Sequence, residues 1–210
     1  MKIALFGGSF DPIHHGHLTV ARAAADAFDL DRVLFVVSGD PPHKAGLLRA
    51  AYEDRQRMAE LACRADARFE APRLEDPARL DGRRSYSVDT IERLQAELGP
   101  GDRLYFLLGE DAFRDLGIWH RLDDVIRSVE FLVVSRPDSD SQPEPNQPGL
   151  RAHWLRGVSN PVSSTEVRRR IAAGESVDGL MPREVAEYAQ RRGLYRAAAA
   201  ARPDRNVRPH

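Results

Sequence analysis

Lys2-Ile3-Ala4-Leu5-Phe6-Gly7-Gly8-Ser9-Phe10-Asp11-Pro12-Ile13-His14-His15-Gly16-His17 joins a short apolar run to a histidine-headed helix through two glycines. Lys2 to Phe6 reads as a buried strand closed by Gly7-Gly8. From His17 to about Asp29, apolar residues fall at Leu18, Ala21, Ala25 and Phe28, which is helical spacing. Glycines where a strand turns let a nucleotide approach the backbone closely. The helix that follows offers N–H groups and a partial positive charge, both suited to phosphate. His14 and His17, three residues apart, can turn both rings to one ligand and donate to phosphate oxygens, more strongly if protonated. Two glycines after a strand are also common turn chemistry. Three histidines within four residues also suit a metal, although few carboxylates lie nearby and no cysteine is at hand.

The same alternation continues outward. Val33 to Val37 is an apolar run of strand length, and 49–66 reads as a helix with Met58, Leu61, Ala62 and Ala65 on one face. Residues 69–75 read as a further strand. Ser87 to Leu98 reads as a helix striped by Val88, Ile91 and Leu94, with Ser87 as N-cap and Gly99-Pro100 as its stop. Leu104 to Leu108, ended by Gly109, and Phe131 to Val134 complete the strands. Strands separated by helices predict an α/β fold, a Rossmann-like doubly wound parallel sheet with helices on both faces. Ligands in such sheets sit beyond the carboxyl ends of the strands, which singles out the loops after residues 6, 37, 108 and 134. One domain over 1–196 is expected, with a small C-terminal helical part from about 160. Residues 137–149, rich in Pro, Ser, Asp and Gln, are expected to be a mobile surface loop, and 197–210 a disordered tail.

The formal charge of −1, from 31 basic and 32 acidic residues, lacks the basic excess of a nucleic-acid coat, so no nucleic-acid partner is expected. Cys63 is the only cysteine, which excludes an intramolecular disulfide and is read as a small buried apolar group on a helix. No apolar run approaches the roughly 18 residues of a membrane span, and the first apolar stretch is too short for a signal peptide. A cytoplasmic protein without membrane attachment is expected, and a homo-oligomer is left open.

Gly7 to His17 resembles the signature of the nucleotidyltransferases that share the HxGH element with class I aminoacyl-tRNA synthetases. The resemblance implies that His14 and His17 hold the ATP phosphates and stabilise charge during transfer, with Gly7, Gly8, Ser9 and Phe10 lining the nucleotide. His15 falls at a variable position. Val162-Ser163-Ser164-Thr165-Glu166-Val167-Arg168 is by composition a capped, Arg-rich helix start. It resembles the (I/V)SST-x-x-R element of the same superfamily, which implies that Ser163, Ser164, Thr165 and Arg168 face the triphosphate.

Four further stretches resemble the bacterial nicotinate-nucleotide adenylyltransferases. Pro41-Pro42-His43-Lys44 matches their PPHK loop, implying that Lys44 reaches the phosphates of acceptor and ATP. Ser85-Tyr86-Ser87-Val88-Asp89-Thr90 resembles their SYT-x-(D/N)-T element, implying a nicotinate carboxylate gripped by Ser87 and the Val88 N–H. Gly109-Glu110-Asp111, then Leu116-Gly117-Ile118-Trp119-His120, resembles G-A-D…L-P-x-W, with Glu110 and Gly117 departing from it. It implies Gly109 and Asp111 on the adenosine side, with Trp119 and His120 at the pyridine. Arg136 matches a phosphate-contacting position, and Leu180 to Tyr195 resembles the closing helix. The reaction implied is adenylyl transfer from ATP, with Mg²⁺ on its phosphates, to nicotinate mononucleotide. The competing readings are a nicotinamide mononucleotide adenylyltransferase, a pantetheine-phosphate enzyme, an inactive nucleotide-binding regulator and an RNA-binding relative of the synthetases.

Overall fold

The computed structural model describes residues 1–39, 48–80, 83–135, 147–158 and 161–197. Six strands make one sheet: β1 (Lys2–Gly8), β2 (Arg32–Val37), β3 (Phe69–Glu70), β4 (Arg103–Gly109), β5 (Glu130–Val134) and β6 (Ala152–Leu155). Their spatial order is β3-β2-β1-β4-β5-β6 and every pairing is parallel. The order reverses between β1 and β4, the place where such sheets open a crevice at their carboxyl ends. Along β1, Ala4 and Phe6 face one buried cluster while Ile3 and Leu5 face the other, the two-residue period of a strand covered on both sides.

The first cluster is covered by α1 (His15–Phe28), α2 (Tyr52–Cys63), α7 (Ser164–Ala173) and α8 (Arg183–Arg191). The second is covered by α4 (Ser87–Gln95), α5 (Glu110–Arg114) and α6 (Leu122–Ser128). A one-turn helix, α3 (Pro77–Leu80), lies between β3 and α4. The doubly wound parallel sheet expected from the alternation is the observed fold. Cys63 is buried on α2, and burial pushes its thiol up to about 12, so it is inert packing. Among the described residues no helix is long and apolar enough to cross a membrane.

Several boundaries differ from the sequence expectation. β1 runs through Gly7 and Gly8 rather than stopping before them. The strand expected over 69–75 pairs only at Phe69–Glu70, because Leu74 N–H turns back to the Pro72 carbonyl. The helix expected from residue 49 begins at Tyr52, since the Arg49 and Ala50 N–H groups are taken by the Asp11 carboxylate. β6 has no counterpart in the sequence expectation; it is a four-residue edge strand whose His153 is exposed and paired with Glu130 at 2.7 Å, so it lacks a continuous apolar signal. Of the stretch expected to be a mobile loop, 137–146 lies outside the described residues, as do 198–210 of the expected tail.

Gly39, just past β2, lies so close to the next layer that a Cβ there would sit 2.1 Å from the Glu75 carbonyl oxygen. Gly39→Ala should therefore lower the urea midpoint by the equivalent of about 1–3 kcal/mol. Gly117→Ala, where nothing lies within 4 Å of the added carbon, should stay within about 0.5 kcal/mol. Equal midpoints for the two variants would contradict this packing.

Candidate functional site

His14 is the N-cap of α1, with extended backbone, and is buried at 6% exposure. Its backbone N–H donates to Nδ1 of His17 at 3.2 Å. A ring nitrogen that accepts a backbone hydrogen bond carries no proton, so the neutral His17 ring holds its proton on Nε2. The two imidazoles stack at 3.7 Å between centroids. Nδ1 of His14 is buried and has no hydrogen-bond partner among the described residues. Burial holds the His14 imidazole down at about 4, with the charge of His15 adding to the effect, so the ring is neutral at pH 7.

Gly16, between these histidines, is required by space. A Cβ there would lie 2.9 Å from the His14 ring and 3.1 Å from the Val162 carbonyl. The same crowding explains Gly8, where an added carbon would meet the Phe10 ring at 2.9 Å. Phe10 takes a positive φ of 45° and turns its side chain into the core at 2% exposure, edge-on to the His17 ring at 5.0 Å. Only its backbone remains to line a nucleotide. It fixes the His17 ring from behind instead.

The second element docks directly on the first. Ser163 is the N-cap of α7, its Oγ accepting from the Glu166 N–H at 3.2 Å, as its sequence setting predicts. Ser164 Oγ donates to the Pro12 carbonyl at 2.9 Å. Arg168 Nη1 donates to the Asp11 carbonyl at 2.6 Å, and its Nη2 to Thr165 Oγ1 at 3.3 Å. Two helix N-termini thus converge on one loop, so their partial positive charges add there.

A cavity of about 480 Å³ opens beside this loop, at the carboxyl ends of β1, β2 and β4. Gly7, Gly8 and Ser9 line one side; Ser87, Trp119 and His120 line the other. Trp119 stands edge-on to Phe106 at 5.1 Å, and the His120 ring lies 4.4 Å from Tyr86. The expected N-cap role of Ser87 falls to Tyr86, whose backbone is extended; Ser87 is the first helical residue, and no side chain caps this end. The N–H groups of Ser87 and Val88 therefore belong to the helix turn that has no intrahelical partner. Val88 turns its side chain into the core at 1% exposure, so only its backbone can meet a ligand. Gly109 ends β4 and precedes α5, with Asp111 exposed in its first turn. Glu110, one departure from the family pattern, is buried and paired with Arg114. Lys44 and Arg136 lie outside the described residues. A second cavity, about 830 Å³, opens between α7 and α8; it includes His15 but neither His14 nor His17.

Arg55, and Asp11 with its donor Tyr195, were given no role by sequence reasoning and complete the site. Arg55 of α2 is 1% exposed and donates to the carbonyls of Ser9 and Ser38, both at 2.9 Å, and of Ala50 at 3.2 Å. It bolts the ends of β1 and β2 together. Burial lowers its pKa, but an arginine starts far enough above neutrality to stay charged. The signal was an arginine three residues before Met58, on the helix face that carries the apolar stripe. Asp11 accepts from the Tyr195 hydroxyl at 2.7 Å as well as from Arg49 and Ala50. Nothing local in the sequence announces a bond between residues so far apart.

The cytidylyltransferase-like family profile matches residues 5–170. A probable nicotinate-nucleotide adenylyltransferase of Solibacter usitatus is 52% identical over 195 residues, spanning 93% of this chain and all of that protein (100%). One of the same name from Thermus thermophilus is 42% identical over 197 residues, with coverage of 93% and 100%. Among solved structures, nicotinic acid mononucleotide adenylyltransferase of Plasmodium falciparum complexed with NaAD superposes with a TM-score of 0.72 at 18% identity. That match covers 92% of this chain and 97% of the other, and supports the fold.

His14 offers a direct check on the electrostatics. Its ring resonances should titrate with a midpoint near 4 in the folded chain, against 6.5 for an ordinary histidine. Because the unfolded chain takes up that proton first, this residue makes stability fall as pH is lowered from 6.5 towards 4, and leaves it unchanged above that window. His14→Gln should flatten the loss; a wild-type midpoint at or above 6.5 would rule out the buried neutral ring.

Proposed function

The chain belongs to the cytidylyltransferase-like family, among its nicotinate-nucleotide adenylyltransferases, and from that we propose that it transfers the adenylyl group of ATP to nicotinate mononucleotide. The observation that carries the reading is the convergence of the α1 and α7 N-termini, with His17 and Arg168, at the switch point of the sheet. A phosphate oxygen of the acceptor attacks the α-phosphorus of ATP. The bond from that phosphorus to the bridging oxygen breaks, and pyrophosphate leaves with nicotinate adenine dinucleotide as the other product. The attacking oxygen is already anionic, so no general base is needed; alignment and neutralisation of developing charge suffice.

His17, its Nδ1 held by the His14 N–H, would donate its Nε2–H to phosphate oxygens. His14 positions that ring by stacking and by its backbone N–H, and adds its own imidazole to the phosphate contacts. Gly7, Gly8, Ser9 and the Phe10 backbone line the nucleotide, while Gly109 and Asp111 meet the adenosine. The hydroxyls of Ser163 and Ser164 are committed to the cap and to Pro12, so the triphosphate is left to the first-turn N–H groups of Ser164 and Thr165 and to Arg168. Ser87 Oγ and the Val88 N–H take the nicotinate carboxylate, with Trp119 and His120 at the ring. Lys44 and Arg136 are assigned to phosphate by their sequence match alone.

Mg²⁺ on ATP would neutralise triphosphate charge. Such an ion would be held mainly by the phosphates and water, as is usual for Mg²⁺ on a nucleotide. A single, buried and inert cysteine supports a cytoplasmic setting.

The test is pyrophosphate release with ATP and Mg²⁺, with nicotinate and nicotinamide mononucleotides assayed in parallel. Strong preference for the nicotinate form is expected, and equal use of both would remove the carboxylate grip. His17→Ala should lower kcat by about 10²–10³-fold if the ring stabilises transferring phosphate. A loss below about threefold would mean that the chemistry lies elsewhere.

A further inference from the structure

Glu75 lies on the wall of the same cavity, beside Ser85, Tyr86 and Ser87, yet none of the resembled motifs includes it. It is 8% exposed, and its Oε1 accepts from Thr90 Oγ1 at 3.0 Å. The Ser85 hydroxyl and the Gly39 N–H also bond its carboxylate. These three donors come from three places: the loop leaving β2, the segment entering α4, and α4 itself. Both hydroxyls are buried, Thr90 at 1% and Ser85 at 8% exposure. Burial pushes the Glu75 carboxyl up, and the three hydrogen bonds with nearby Arg93 work against that shift. Arg93 Nη1 also donates to the Leu74 carbonyl at 2.9 Å, so the backbone before Glu75 is tied to the same helix.

α4 carries Ser87 and Val88 in its first turn. That turn has no side-chain cap to define it, and it lies across the cavity from the phosphate loop. The post joining it to the β2 end is Glu75. We propose that Glu75 is a positioning residue for the acceptor, holding Ser87 and Val88 at a fixed place opposite the β1 and β2 ends and so setting affinity for the nicotinate carboxylate. This rests on the adenylyl-transfer reading above. Its role is through the donors that its carboxylate gathers, Thr90, Ser85 and Gly39. An unsatisfied Gly39 N–H and an unsatisfied Thr90 hydroxyl would be left without it, and the turn would lose its register.

The experiment is steady-state kinetics with each substrate varied separately, in wild type, Glu75→Ala, Glu75→Gln and Thr90→Val, alongside thermal melts. Glu75→Ala should raise the KM for nicotinate mononucleotide about tenfold while kcat and the KM for ATP move less than about threefold. The preference over nicotinamide mononucleotide should shrink with it. Glu75→Gln should restore the acceptor KM to within about threefold, because an amide oxygen still accepts from Gly39 while its NH₂ donates to a hydroxyl. Thr90→Val keeps the carboxylate and deletes one bond, and should raise the acceptor KM about threefold; it decides the matter if Glu75→Ala does not fold. An unchanged acceptor KM, equal rises for both substrates, or failure of Glu75→Gln to rescue would overturn the positioning role while wild-type turnover stands. A folded wild type that uses neither mononucleotide would overturn the reaction and this role together.

Discussion

Asp11 gathers four donors from three distant parts of the chain. Its carboxylate accepts from the Arg49 and Ala50 N–H groups and from the Tyr195 hydroxyl, and its carbonyl accepts from Arg168. The residue is 5% exposed, so these bonds form where an unpaired carboxylate would be strongly disfavoured. They hold the loop between β1 and α1 from the side of α2, from α7 and from the segment after α8. The placement of both histidines follows, since the loop's exit direction fixes the N-terminus of α1. So does the direction of Arg168, whose guanidinium is aimed across the helix ends by the carbonyl it holds.

Around that anchor the two histidines act as neutral donors beside Arg168. His14 is uncharged because it is buried; His17 is set as an Nε2 donor by a backbone N–H. Arg55 is sealed beneath the loop, bonded to the Ser9 and Ser38 carbonyls. Donors arranged in advance need little reorganisation when phosphate charge shifts, which is where electrostatic catalysis draws most of its effect. Oriented N–H groups at two helix ends do this without the desolvation cost of burying several full charges.

The sheet and its two faces were legible because buried parallel strands leave continuous apolar runs: Val33 to Val37 and Leu104 to Leu108 can hardly be anything else. The two helix-start motifs were legible because their chemistry is local, all within about two turns. What was hidden is of another kind. β6 is short and half polar at a sheet edge, so no run marks it. Arg55 and Glu75 act on carbonyls and donors far along the chain, and a lone charge in a sequence does not say whether it is solvated or buried. Ser87 reads as a cap because a hydroxyl before an apolar stripe fits that role equally well; the backbone puts Tyr86 there instead.

The bond from Tyr195 to Asp11 also imposes an order on how the chain matures. Residues near the N-terminus leave the ribosome first, at about 5–20 residues per second. β1 cannot enter its parallel pairing with β4 until residue 103 is available, and the loop carrying Asp11 cannot gain all its anchors until Tyr195 has emerged. Until then the loop from Gly7 to His17 is present without all the bonds that hold Asp11. A chain that stops short of Tyr195 therefore lacks one of the bonds that fasten the loop leading to its two histidines.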